Sequence, residues 1–218
     1  MLCQGGRTKI KMSSELREKL VEHPITFGVI GPIGAGKSTI SKVLGDRLKI
    51  PVIEEKFAQN PFLKDFYAKP KDWSYKSQTW FLIEKVKQLK ELDYTKSQII
   101  DPALEMDLIY AQTLQKIGFM EDREFDQYKG LFEELYRVKK PDVFLVITAP
   151  PEVLEKRIKE RARTYELVML KKYPSYLANL RRNVEEFQGK IIYVNSKDNN
   201  FTDENNIDEL VDELKLYM

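Results

Sequence analysis

Apolar residues along the chain form short continuous runs, and between these runs they recur at every third or fourth position. The continuous runs are rich in β-branched and aromatic residues and predict five strands, at 25–30, 51–53, 97–100, 141–148 and 190–195. The spaced positions predict helices over 37–48, 60–67, 70–92, 103–117, 122–137, 151–163, 176–187 and 207–217. Strands that alternate with helices indicate an α/β fold, with a five-stranded parallel sheet and helices on both faces.

The first predicted strand leads directly into a glycine-rich loop. Residues 31–38 fit G-x-x-x-x-G-K-[ST], the spacing of a phosphate-binding loop between a strand and a helix. The glycines let successive N–H groups turn toward phosphate oxygens, Lys37 reaches the β- and γ-phosphates, and the Ser38 hydroxyl can ligate Mg²⁺. The residues expected to bind a nucleotide here are Gly31, Gly34, Ala35, Gly36, Lys37, Ser38 and Thr39.

The division of the chain follows from its length and its first strand. A chain of 218 residues is long enough for a full core. Residues 1–24 precede the first predicted strand, and we expect them to be a tail with a short helix. Residues 25–218 are expected to form a single domain.

Composition narrows the possible functions. The chain carries 36 basic and 34 acidic residues, a net charge of +2, which argues against a dedicated nucleic-acid binder. No run approaches 18 apolar residues and residues 1–24 hold no signal-peptide core, so we expect a cytoplasmic protein without a membrane partner. A single histidine, His23, excludes a two-histidine metal site and leaves a carboxylate as the expected general base.

Several motifs, taken in order, resemble the deoxyribonucleoside kinases of the deoxycytidine, deoxyguanosine and deoxyadenosine kinase group, and most closely the bacterial members. The phosphate loop is followed by Glu55, by the stretch from Asn60-Pro-Phe-Leu63 to Trp73, by Asp101 and by the arginine-rich segment 157–166. The resemblance implies a P-loop fold with a basic helical lid over about 157–172. It also implies γ-phosphoryl transfer from ATP or another NTP to a deoxynucleoside 5′-hydroxyl in nucleotide salvage, with Mg²⁺ as cofactor and a homodimer as the assembly.

The resemblance also assigns roles near the reacting groups. Glu55 would accept the 5′-hydroxyl proton, Lys37 would act on the transferring phosphate, and Asp101 would hold Mg²⁺ opposite Ser38. The lid arginines would close over the donor phosphates and neutralise charge in the transition state; they are Arg157, Arg161 and Arg163.

At the acceptor end, Tyr67 and Glu166 would hold the sugar 3′-hydroxyl and Gln78 would read the edge of the base. Trp73 would line the pocket and Asp107 would assist. Gln78 presents both a donor and an acceptor, so adenine, guanine and cytosine all stay possible. The choice between ATP and GTP as donor is also open, and the segment Asn195–Phe201 is expected to wrap the donor base.

The chain departs from the family pattern where a substrate-binding arginine normally follows the third strand, since Pro102 occupies that position. Our hypothesis is that Lys56 supplies the missing charge, although Lys56 directly follows Glu55 and would point away from it in extended chain. Two other interpretations are possible. One is a nucleoside monophosphate kinase, and the other is a non-catalytic nucleotide-binding relative, which Pro102 favours.

Overall fold

The computed structural model describes residues 16–197 and 204–217 of the chain. The strands are β1 (Thr26–Ile30), β2 (Val52–Glu54), β3 (Gln98–Asp101), β4 (Val143–Thr148) and β5 (Ile191–Asn195). The helices are α1 (16–22), α2 (Lys37–Leu48), α3 (Leu63–Ala68), α4 (Pro70–Lys90), α5 (Glu105–Lys116), α6 (Asp122–Leu135), α7 (Pro151–Arg161), α8 (Thr164–Lys172), α9 (Ser175–Glu185) and α10 (Glu204–Leu214). The tail predicted before residue 16 lies outside the described residues.

All five strands are parallel and lie in the order β2-β3-β1-β4-β5. This arrangement confirms the predicted parallel sheet. The register pairs Glu54 at the end of β2 with Asp101 at the end of β3. Because the carboxyl ends of parallel strands share one edge, the segments after β1, β2 and β3 meet there.

Both faces of the sheet are covered by helices. Phe27 and Val29 of β1 belong to a core that includes residues of α1, α2 and α10. Ile30 belongs to a second core, which includes residues of α4, α5, α6 and α9. Neighbouring side chains of a strand point to opposite faces, so a strand that is apolar along its whole length must be covered on both.

The helix predicted over 151–163 ends at Arg161, and a second helix that was not predicted follows it. Ala162 has a left-handed backbone conformation with φ of 52°, which ends α7 at Arg161, and α8 begins at Thr164. The sequence did not predict α8 as a separate helix because its apolar residues form the continuous run 167–170 and not a stripe. A short 3-10 helix, Phe57–Gln59, was also not predicted.

Candidate active site

The phosphate-binding loop joins β1 to α2 and uses its glycines as the motif requires. Gly34 and Gly36 have φ of 84° and 92°, torsions that side-chain-bearing residues rarely adopt. The Lys37 ammonium donates to the backbone oxygens of Gly31 at 2.7 Å and Pro32 at 3.1 Å. Burial lowers the pKa of Lys37, and the charges of nearby carboxylates oppose that shift. The loop therefore holds the end of the Lys37 side chain against its own backbone.

One cavity of about 660 Å³ extends from this loop across the carboxyl edge of the sheet. Most of the residues that the sequence singled out line it together. Those residues are Gly34, Gly36, Lys37, Ser38, Thr39, Glu55, Tyr67, Gln78, Asp101, Asp107, Arg157, Arg161, Arg163 and Glu166. The fold thus brings residues that are far apart along the chain into one space.

Three of the predicted residues do not line the cavity: Gly31, Ala35 and Trp73. Gly31 shapes the loop, because a Cβ there would lie 2.6 Å from the backbone oxygen of Ile147. Ala35 is fully buried, and its N–H donates to the Pro32 oxygen at 3.2 Å within the loop.

Trp73 was expected to line the pocket, but it is not among the residues that line the cavity. Its ring stacks on Phe62 at 5.8 Å, and the ammonium of Lys76 lies 4.1 Å from the ring centre. The cause is helical geometry. Trp73 is five residues from Gln78 on α4 and so points well away from it, whereas Phe81, three residues on, shares the face that meets the cavity.

Two carboxylates stand at the adjacent ends of β2 and β3. The N–H of Glu55 donates to the backbone oxygen of Asp101 at 3.0 Å, which fixes the chain just after β2. Burial raises the pKa of Glu55, while the positive charges of Lys85 and Lys37 oppose the shift. Asp101 is 3% exposed, and its Oδ1 has no hydrogen-bond partner within the described part of the chain. Pro102 follows Asp101 and lines the cavity.

Buried polar atoms without a hydrogen-bond partner among residues 16–197 and 204–217 lie at and near the far end of the cavity. Oε1 of Gln78 and Oδ2 of Asp107 belong to residues that line it. Nζ of Lys85 and the hydroxyl of Tyr128 belong to residues that do not line it but interact electrostatically with Asp107. Burial and the charge of Glu55 raise the pKa of Asp107 well above its usual range, and Lys85 opposes that shift. Buried polar groups are normally paired, so this end suits a polar ligand that completes their hydrogen bonds.

Lys56 does not supply the charge that the sequence analysis expected of it. Its side chain is exposed and absent from the cavity lining, and its charge acts on Glu84 at the surface. The buried cation at this end is Lys85, which is 2% exposed. Lys85 lies seven residues after Gln78 on α4, two helical turns along the same face. The hypothesis about Lys56 is therefore corrected.

The predicted sugar-binding carboxylate and two lid arginines form one ionic cluster. Oε2 of Glu166 accepts from Nε of Arg161 at 3.1 Å and from Nη2 at 2.6 Å, and its Oε1 accepts from Arg163 at 3.4 Å. Tyr67 lies near this cluster, and burial raises the pKa of its phenol well above the usual range. A neutral phenol can donate a hydrogen bond beside the carboxylate of Glu166.

Arg157 connects α7 to the segment after β5. Its guanidinium donates to the Ser196 hydroxyl at 2.8 Å and to the Ser196 backbone oxygen at 2.6 Å. A Cβ on Gly36 would lie 3.9 Å from Nη1 of Arg157, so this arginine stands over the phosphate loop. Of the segment predicted to wrap the donor base, Asn195–Phe201, residues 198–201 lie outside the described residues.

Sequence reasoning missed several aromatic residues that line the cavity: Phe57, Phe81, Tyr110 and Tyr176. Helical spacing could have indicated two of them. Phe81 follows Gln78 by three residues, and Tyr110 follows Asp107 by three. Phe57 and Tyr176 carry no such signal, because tertiary packing alone brings them to the cavity.

The residues present fit a magnesium ion only as part of a nucleotide complex. Within the described ranges, no group of three or more His, Cys, Asp or Glu side chains could hold a metal ion. Ser38 and Asp101 line the same cavity, and Oδ1 of Asp101 has no hydrogen-bond partner among the described residues. Mg²⁺ commonly takes one or two protein oxygens and completes its shell with phosphates and water, and this pair matches that pattern.

Among the described helices, none combines the length and the apolar character needed to cross a membrane.

Comparison with known proteins identifies relatives over nearly the whole chain. The family model described as deoxynucleoside kinase matches residues 27–217. A deoxyadenosine kinase of Dictyostelium discoideum is 31% identical over 164 residues, which cover 74% of this chain and 65% of that protein. A deoxyguanosine kinase of Lactobacillus acidophilus is 33% identical over 142 residues, 62% of each protein. The chain thus matches slightly less than two thirds of the length of these two relatives.

A deoxyadenosine/deoxycytidine kinase of Bacillus subtilis is matched more completely. It is 28% identical over 194 residues, which cover 85% of this chain and 89% of that protein. Among solved structures, deoxyadenosine kinase from M. mycoides with bound dATP superposes with a TM-score of 0.77 at 23% identity. The match covers 88% of this chain and 100% of that one. The structural likeness establishes the P-loop fold expected from the sequence.

Proposed function

Since the chain belongs to the deoxynucleoside kinase family, we propose that it transfers the γ-phosphoryl group of ATP or another NTP to the 5′-hydroxyl of a deoxynucleoside, a reaction of nucleotide salvage. One observation carries the proposal. A single cavity joins the phosphate loop, the carboxylate of Glu55 and a buried end with unpartnered polar groups. A triphosphate at one end and a nucleoside at the other would place their reacting groups between the phosphate loop and Glu55.

At the acceptor end, the chain would position the nucleoside through its sugar and its base. Glu166 and Tyr67 would hold the 3′-hydroxyl, while Gln78 and Asp107 would hydrogen-bond the edge of the base and so complete their own bonding. Glu55 would then accept the proton of the 5′-hydroxyl as this oxygen attacks phosphorus. Burial raises the pKa of Glu55, which favours its acceptance of that proton.

At the donor end, the charge on the phosphates would be met by groups of the loop and the lid. Backbone N–H groups of the loop and the dipole of α2 favour an anion at this point. Lys37 would exchange its contacts with the loop oxygens for the β- and γ-phosphates. The phosphates would also be contacted by the lid arginines that line the cavity, Arg157, Arg161 and Arg163. Ser38 and Asp101 would hold Mg²⁺, which when bound neutralises phosphate charge.

Three further features follow from the family and stay predictions for this chain. They are a lid over about 157–172 that closes on the donor, assembly as a homodimer, and a cytoplasmic location. The division into a short N-terminal segment, 1–24, and one kinase domain, 25–218, belongs with them. Light scattering on the purified chain would test the homodimer.

Release of ADP, measured with ATP and Mg²⁺, tests the proposed function. The panel comprises deoxynucleosides, ribonucleosides and deoxynucleoside monophosphates. We expect turnover with one or more deoxynucleosides. Turnover with monophosphates alone would show a nucleoside monophosphate kinase. Binding of ATP without ADP release for any compound in the panel would show a non-catalytic relative.

A matched pair of substitutions tests the role of Glu55. Glu55→Gln should lower turnover by about 10²–10⁴-fold, the usual contribution of a general base. The neighbouring Glu54→Gln should lower turnover far less, because the Glu54 side chain borders the cavity but is exposed. Equal losses in the two variants would contradict this assignment.

A further inference from the structure

The two helices of the lid meet in a strained turn that the structure must hold in place. Ala162 has φ of 52°, a left-handed torsion that an alanine adopts at a cost of about 1 kcal/mol. Arg161 and Arg163 flank this turn and are 38% and 44% exposed. The position of α8 therefore depends on contacts that come after the turn.

Four aromatic rings, which we call the aromatic stack, connect α8 to the wall of the cavity. Tyr165 of α8 lies 4.5 Å from Tyr67 of α3 and 6.2 Å from Phe57, measured between ring centres. Phe57 in turn stacks on Phe81 of α4 at 5.9 Å and 21°. The guanidinium of Arg163 lies 5.7 Å from the centre of the Phe57 ring. The stack thus joins the lid to three other segments.

Tyr165 occupies the middle of this stack but does not itself line the cavity. Its neighbour Glu166 does, and so do Tyr67 and Phe57. Offset and tilted ring contacts at these distances are favourable beyond the area that they bury. A ring at position 165 therefore fixes where Glu166 and Arg163 stand relative to Tyr67.

We propose that Tyr165 is a positioning residue, whose ring seats the lid on Tyr67 and Phe57 and so sets the distance between Glu166 and Tyr67. This inference rests on the proposed function, because it assigns Glu166 and Tyr67 to the acceptor sugar. It adds a residue that touches neither substrate. It also accounts for how a lid with an alanine at its turn keeps a defined position.

Kinetic measurements on three variants test the proposal. Tyr165→Leu removes the ring and should raise the KM for the deoxynucleoside about tenfold, from the loss of ring contacts on both sides. Tyr165→Phe keeps the ring and should restore the KM. The control Tyr173→Leu makes the same change at the other end of α8, where the ring packs on Phe119 at 4.4 Å and not on the stack. Its KM should stay unchanged.

Trypsin cleavage after Arg161 and Arg163 gives a second readout that needs no catalysis. Tyr165→Leu should be cut there several times faster than the unsubstituted chain, and Tyr165→Phe at the same rate. Phe57→Leu, at the other side of the stack, should also be cut faster, which keeps the test available if Tyr165→Leu does not fold.

The outcomes separate the two proposals. Absence of turnover in the unsubstituted chain would overturn the proposed function, while the cleavage rates would still report on the stack. Equal KM values and equal cleavage rates for Tyr165→Leu and the unsubstituted chain would overturn the role of Tyr165. The same would follow if Tyr165→Phe were as impaired as Tyr165→Leu, or if Tyr173→Leu raised the KM equally.

Discussion

Glu105, near the start of α5, is a buried carboxyl group whose ionisation should destabilise the fold. It is 9% exposed, and its Oε2 has no hydrogen-bond partner among the described residues. Burial raises its pKa from 4.5 to about 7. The folded chain therefore holds this proton more tightly than the unfolded chain does. The stabilisation is complete below about pH 4.5 and is lost as the pH rises through about 7.

The size of the effect follows from the difference between the two pKa values. Each pKa unit corresponds to about 1.4 kcal/mol, so the rise from about pH 5 to about pH 8 should remove roughly 2.5 kcal/mol of unfolding free energy. Glu105→Gln cannot ionise and escapes this loss. Its own constant effect on stability does not matter, because the prediction concerns the change with pH.

Thermal melting of both proteins over this pH range measures the effect. For a chain of this size, Glu105→Gln should gain about 5–10 °C in Tm relative to the unsubstituted chain between the two ends of the range. Glu133→Gln is the control, since the Glu133 side chain is 65% exposed and its Tm difference should stay constant. A Tm difference between Glu105→Gln and the unsubstituted chain that stays constant over the whole pH range would refute the reasoning.

Three further predictions concern the candidate active site. Gly36→Ala and Gly118→Ala each force a left-handed torsion on an alanine, and at both positions the added Cβ would have no atom closer than 3.9 Å. Each substitution should therefore lower the free energy of unfolding by about 1–2 kcal/mol, measured by thermal melting. Only Gly36→Ala should raise the KM for ATP. Equal KM values for the two variants would contradict the role of this loop in binding the phosphates of ATP. Glu166→Gln breaks the ion pair with Arg161 and should lower the free energy of unfolding by about 1–2 kcal/mol, measured by chemical denaturation. The loss is modest because solvent partly screens this pair. The same substitution should raise the KM for the deoxynucleoside. If neither quantity changes, the cluster plays no part in the site. Asp101→Asn should raise the Mg²⁺ concentration for half-maximal turnover by about tenfold. A loss of rate at an unchanged Mg²⁺ midpoint would speak against a metal ligand.

Local patterns in the sequence were sufficient for the fold class and for the phosphate loop. Continuous apolar runs predicted the inner strands β1, β3 and β4 because strands covered on both faces need apolar residues at nearly every position. The edge strands β2 and β5 are partly exposed and were predicted from short apolar runs. The loop was predictable because its torsions and its lysine depend on residues that are adjacent along the chain. Glu55 and Asp101 could be placed at one edge because parallel strands end together.

Other features depended on distances that no local pattern encodes. Trp73 does not line the cavity because its angle around α4 differs from that of Gln78, and resemblance alone did not weigh that angle. Lys56 follows Glu55 in sequence, yet the buried cation at that end is Lys85, which two helical turns bring there from another element. Both cases have the same physical cause, namely that residues close along the chain need not share a pocket.

The sequence by itself determined which chemistry is available: a phosphate loop, carboxylates at strand ends, and arginines near residue 160. Only the tertiary structure decided which of these groups meet. It paired Glu166 with Arg161 and Arg163, turned Arg157 onto Ser196, and stacked Tyr165 between Tyr67 and Phe57. Such contacts depend on how helices pack across the sheet, and that packing is a property of the whole core.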